Sequence, residues 1–109
     1  MERGRKMRIY ISGKITGVEN YKEHFEKAEK YLHEKYPNAE IINPCKIKRS
    51  AEILPYKEYL KTDLEELFKC DTIYFLNSFL YSRGSRVEGA LAETLDMKMI
   101  FEANELWIQ

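Results

Sequence analysis

Cysteine is scarce in this chain. There are two in 109 residues, Cys45 and Cys70, far apart and in no C-x-x-C arrangement. That pattern excludes a disulfide framework and a thiolate zinc site as organising elements. Histidine is equally rare: His24 and His33 lie on one polar stretch, and no His/Cys/Asp/Glu cluster has metal-ligand spacing, so no metal or other cofactor is expected. An excess of one charge is lacking too, since 18 Lys+Arg balance 18 Asp+Glu. Nothing global therefore marks a nucleic-acid polymer or a membrane surface as partner. No apolar run approaches the ~20 residues that span a bilayer. The basic opening MERGRKMR leads into no secretory apolar core, so residues 1–6 read as a flexible basic tail and the protein as cytoplasmic.

What is present suits one soluble domain covering residues 1–109, with 44% hydrophobic and 33% charged residues. MRIYISG (Met7 to Gly13) reads as an opening strand. Tyr21, Phe25, Ala28 and Leu32 then recur at helical spacing, with Asn20 and Glu23 placed as N-cap and N3. AEIINP (Ala39 to Pro44) is a second strand, stopped by proline. Pro55 suits the first turn of a second helix, whose apolar positions are Tyr56, Tyr59, Leu60, Leu64, Leu67 and Phe68. DTIYFLN (Asp71 to Asn77) is a third strand, SRGSRVEGALAETL a loop running into a third helix, and MKMIFE a fourth strand.

The alternation β-α-β-α-β-α-β predicts a three-layer αβα domain of Rossmann or flavodoxin-like type. Its parallel sheet would have four strands, or five, in the order 2-1-3-4. In such sheets ligands bind at the carboxyl ends of the strands where the winding reverses, here between the first and third strands. The loops ending those strands are SGKITG (Ser12 to Gly17) and NSFLYSRGS (Asn77 to Ser85), both glycine-bearing. Lys14, Arg83 and Arg86 would place cations near that cleft.

Two carboxylates fall on the apolar arcs of their helices. At about 100° per residue, Glu88 shares an arc with Val87, Leu91, Ala92 and Leu95, and Asp63 lies among Tyr56, Tyr59, Leu60 and Leu67. An acid turned toward a core is costly unless something there needs it. A plainer reading stands beside this one. Ser85-x-x-Glu88 fits a capping box, and Asp63 fits a solvated helix margin. Asp71 reads as a turn residue and Tyr10 as a core tyrosine with a satisfied hydroxyl.

Taken together, I-Y-I-S-G-K-I-T-G, I-I-N-P, T-D-L-E-E-L-F-K-C-D-T-I-Y-F-L and S-R-G-S-R-V-E-G-A-L-A resemble the nucleoside 2-deoxyribosyltransferase-like superfamily. That superfamily includes the deoxynucleoside-monophosphate N-glycosidases, and the likeness is strongest to its small bacterial and phage branch. The resemblance implies Glu88 as nucleophile, Asp63 as proton donor or sugar-orienting acid, and Tyr10 as the residue that positions Glu88. It further implies a phosphate-holding neighbourhood of Gly13, Lys14, Thr16, Ser82, Gly84 and Arg86. Position 82 is Ser where nucleoside transferases commonly carry Asp, which favours a phosphorylated ligand. The helix also reads E-G-A-L-A where the transferases have E-L-G.

The activity so implied is cleavage or transfer of the N-glycosidic bond of a deoxyribonucleotide-like substrate. The expected partners are a small nucleotide or nucleoside and a second copy of the chain, in a homodimer or larger homo-oligomer. Phe79, Tyr81 and Trp107 are the candidate interface aromatics. The alternatives are a non-catalytic nucleotide-sensing or sequestering domain on the same pocket, and a structural αβα domain whose acids are caps and margins.

Overall fold

The computed structural model describes residues 6–47 and 55–104. Its central strands are β1 (Arg8–Ser12) and β3 (Thr72–Phe75), and every residue of both except Arg8 is buried. Strands covered on both faces lose the polar alternation of a surface strand, which is why their centres, Ile9-Tyr10-Ile11 and Ile73-Tyr74-Phe75, read as continuous apolar runs. The edge strands β2 (Glu40–Ile42) and β4 (Lys98–Phe101) are partly open to solvent. All pairings are parallel, and the strand order is β2-β1-β3-β4. Tyr10 pairs with Ile73 and Ser12 with Phe75 across the central ladder. At the opposite end of that ladder, the Asp71 carboxylate accepts from the Arg8 backbone N–H (3.2 Å) and the Thr72 hydroxyl (2.7 Å). Asp71 is a structural turn residue, as its position suggests.

Alternate side chains of the strands feed two cores. Ile9, Ile11, Tyr74 and Leu76 pack with Phe25, Ala28 and Leu32 of helix α1 (Tyr21–Lys35) on one face. Tyr10, Ile73 and Phe75 face the other way, against Leu67 of α2 (Tyr56–Leu67) and Ala92 of α3 (Arg83–Thr94). Helix α1 ends just before Pro37, a residue that cannot continue it. Asn20 takes its N-cap position but makes no side-chain capping bond, so the expected cap pair does not form.

The parity of β1 decides where the site lies. Tyr10 and Ser12 are two residues apart, so both side chains stand on the α2/α3 face. The loops leaving β1 and β3 come together beside them. The Leu76 N–H donates to the Ser12 carbonyl at 2.8 Å, and a Cβ on Gly13 would lie 2.6 Å from Leu76 Cδ1 and 3.0 Å from its Cβ. Only glycine permits that approach without displacing one loop. Farther along, Gly17 has φ +80° in the turn closed by Val18 N–H to the Ile15 carbonyl (3.2 Å). That conformation favours glycine.

Several sequence expectations are corrected on the helices. Ser82, not Ser85, caps α3, its hydroxyl accepting from the Ser85 N–H at 3.1 Å. The buried arc of α3 is Ser85, Glu88 and Ala92, whereas Val87 and Leu95 are each 45% exposed. On α2 only Leu67 is fully buried, and Tyr56 is half exposed. Phe68, just past the end of that helix, is exposed as well. Phe79 is half-buried and packs against the core at a tilt, its ring centroid 4.7 Å from that of Phe75 and 5.6 Å from that of Phe101. Tyr81 is 75% exposed, and Trp107 lies outside the described residues. Among the described residues, no helix is long and apolar enough to cross a membrane.

Candidate active site

Glu88 is 5% exposed, and its carboxylate is gripped from β1 at both oxygens. Tyr10 Oη donates to Oε2 at 2.7 Å, and Ser12 Oγ donates to Oε1 at 2.6 Å. A further hydroxyl, Ser85 Oγ, lies 2.9 Å from Ser12 Oγ. The capping-box reading of Ser85 and Glu88 is therefore wrong in both halves. Ser85 is one turn inside the helix and Glu88 points into the fold rather than back to a helix end. A local motif in the sequence gives way here to long-range partners supplied by the central strand.

Burial pushes the Glu88 carboxyl up from 4.5 to about 7. The hydrogen bonds from Ser12 and Tyr10 pull against that shift, and the nearby Asp63 charge adds to it. Near neutral pH the group is thus poised between its two protonation states, which ordinary surface glutamates are not.

Glu88 opens onto a pocket of about 800 Å³ at the carboxyl ends of β1 and β3. Asp63, half-buried on α2, lines the same pocket, so the two acids singled out from separate helices do meet one cavity. Gly13, Lys14 and Thr16 come from the first loop, and Ser82 and Gly84 from the start of α3. Tyr10 stands behind Glu88, fully buried, and touches the site through it. Arg86 is corrected: it is exposed and not part of the pocket wall, whereas Arg83, one turn earlier, is.

Much of the remaining wall is aromatic. Tyr21, Tyr56 and Tyr59 line it, with Tyr81 from the loop after β3. Arg83 lies over the Tyr56 ring, 5.6 Å from its centroid. Gly84 belongs to the same arrangement, because a Cβ there would come within 2.8 Å of Tyr56 Oη. Pro44 and Cys45 form a further side, on a turn tied to α1 through Glu29. That carboxylate accepts from Asn43 Nδ2 at 3.1 Å and pairs with Lys46 Nζ at 2.9 Å.

Ser12 and Ser85 were not legible as site residues from composition or motif. The usable signal was positional: Ser12 shares a strand face with Tyr10, and Ser85 precedes Glu88 by one helical turn. The other cysteine, Cys70, has no place in the site. Burial, with the charges of Asp71 and Glu66, pushes its thiol up to about 12, so it stays protonated and unreactive.

Comparison with known families places residues 7–101 within the domain of unknown function DUF4406. The chain belongs to that family. The match spans β1 through β4, so the DUF4406 domain is the whole αβα unit and its pocket. No curated protein matches the chain.

Proposed function

We propose that this DUF4406 protein cleaves or transfers the N-glycosidic bond of a deoxyribonucleotide-like substrate, with Glu88 as nucleophile. The observation that carries the reading is the buried Glu88 carboxylate, fixed by Tyr10 and Ser12 at the floor of a pocket that also holds Asp63. Two carboxyl groups in unlike environments are what glycosidic-bond chemistry requires. The likeness to deoxyribosyltransferase-like chains supports the same assignment.

In the proposed reaction a Glu88 oxygen attacks the anomeric carbon from the face opposite the base. The carbon–nitrogen bond breaks, and its electron pair leaves with the base, which takes a proton from water while the Asp63 carboxylate orients the sugar. The glycosyl ester on Glu88 is then opened by water, giving a hydrolase, or by a second base, giving a transferase. In either case the carboxylate is regenerated.

The mouth of the pocket suits an anion. Helix α3 carries no acid in its first turn, and its N-terminus supplies a partial positive charge beside Ser82, Lys14 and Arg83. Glu88 lies six positions beyond Ser82, a rise of about 9 Å along the helix that the N-terminal tilt of side chains shortens. A 5′-phosphate held at the helix start would put the sugar over Glu88 and the base among the tyrosines.

Incubation with a mixture of the four deoxynucleoside 5′-monophosphates, followed by chromatography, tests the proposal. Release of free base is the expected result. A melting-temperature shift without product would instead support the nucleotide-binding alternative. Neither base nor shift would remove nucleotides as ligands.

A further inference from the structure

Ser12 is the last residue of β1, is 1% exposed, and does not line the pocket. Its hydroxyl nevertheless touches both Glu88 Oε1 (2.6 Å) and Ser85 Oγ (2.9 Å), and Ser85 does line the pocket. We propose that Ser12 is a positioning residue for Glu88, and that Ser85–Ser12–Glu88 is a hydroxyl chain coupling the pocket wall to the charge state of the carboxylate. The inference rests on the reading of Glu88 as the reacting group, and it adds residues that the resemblance does not supply.

A serine hydroxyl has a single proton and two lone pairs. When Glu88 is ionised it can only accept, so the Ser12 proton must face Oε1, and the Ser85 proton can then face Ser12. Ser85 in that state offers lone pairs to the pocket. When Glu88 carries a proton on Oε1, that proton can be given to Ser12, whose own proton turns to Ser85. Ser85 now offers its proton to the pocket. The chain reverses direction without moving a heavy atom, so a ligand group at Ser85 that prefers one direction also favours one charge state of Glu88.

Other groups act on Glu88 as well. Tyr10 of β1 holds Oε2, Asp63 of α2 opposes ionisation, and the Lys14 and Arg83 cations line the same pocket. Ser12 differs from all but Tyr10 in being removable without altering the pocket wall. A charge-assisted hydrogen bond is strong enough for its loss to move an ionisation midpoint by about one pH unit.

The test is a titration of the Glu88 carboxyl by NMR, using ¹³C-labelled glutamate in ligand-free protein, with Glu88→Gln identifying the resonance. Wild type is expected to titrate near 7. Ser12→Ala should raise the midpoint by about one unit. Ser12→Cys, close in size but a weaker donor, should move it in the same direction by less, as should Ser85→Ala.

For base release, Ser12→Ala should lose about fivefold in kcat at pH 7 and recover it near pH 9, with KM little changed. A midpoint unmoved in both Ser12 variants would overturn the proposal. So would a kcat loss that is the same at every pH. If wild type releases no base while the midpoint still moves, the glycosidic reading fails and the hydroxyl coupling stands.

Discussion

Glu88→Gln is expected to lower turnover by about four orders of magnitude or more, because the substitution removes the attacking oxygen and keeps the shape. The fold should survive it. Tyr10 can still donate to an amide oxygen, and Ser12 can accept from the amide nitrogen, so both partners seen at 2.7 and 2.6 Å remain satisfied.

The same variant should be more stable than wild type in alkaline buffer. The Glu88 carboxyl sits at about 7 in the fold against 4.5 for a free glutamate, so the folded state binds the proton more tightly. Its contribution to stability is therefore fully present below 4.5 and is lost as pH rises through about 7. That loss has an upper size of roughly 3 kcal/mol, and a domain of this length shows such a difference as several degrees or more in melting temperature. Glu88→Gln should melt close to wild type at pH 4.5 and clearly above it at pH 8. Equal melting temperatures at both pH values would mean that Glu88 is not held in a costly ionised state.

The second large effect concerns wild type alone. A nucleophilic carboxylate must be ionised, so kcat should climb about tenfold per pH unit below 7 and level off above it. Between pH 5 and pH 7 the gain is on the order of fiftyfold. A profile that falls through the same region would make Glu88 the proton donor and move the nucleophilic role elsewhere. Activity and stability thus ask for opposite states of one side chain: the pH at which Glu88 reacts best is the pH at which its burial costs the fold most. Active sites often carry such a conflict.

Much of this architecture was legible in the sequence because it follows from periodicity. Tyr21, Phe25, Ala28 and Leu32 repeat at helical spacing, three of the four are fully buried on α1, and the alternation of elements gave the strand order β2-β1-β3-β4. Glu88 and Asp63 were legible for the opposite reason, as acids on the wrong arc, and both face the pocket. Helix α3 departs from the rule that apolarity marks the buried face. Its inward arc is Ser85, Glu88 and Ala92, and the apolar Val87 and Leu95 stand outside.

A helix that delivers polar groups to a cavity breaks the rule by which core faces are recognised. The choice between Ser82 and Ser85 as cap was decided by tertiary contact. Ser85 is drawn under the helix by Ser12, a residue from the far end of the chain, and no window of local sequence contains that pairing. Of the two arginines expected near the cleft, Arg83 lines the pocket mouth and Arg86 does not.

Covalent capture tests the central claim most directly. The protein is incubated with a deoxynucleoside 5′-monophosphate analogue bearing fluorine at the 2′ position, which slows opening of a glycosyl ester, and is then digested and analysed by mass spectrometry. The account predicts the added mass of the fluorinated sugar phosphate on the peptide containing Glu88, with none on protein carrying Glu88→Gln. An adduct on a different residue, or release of base from the analogue by the Glu88→Gln protein, would contradict it.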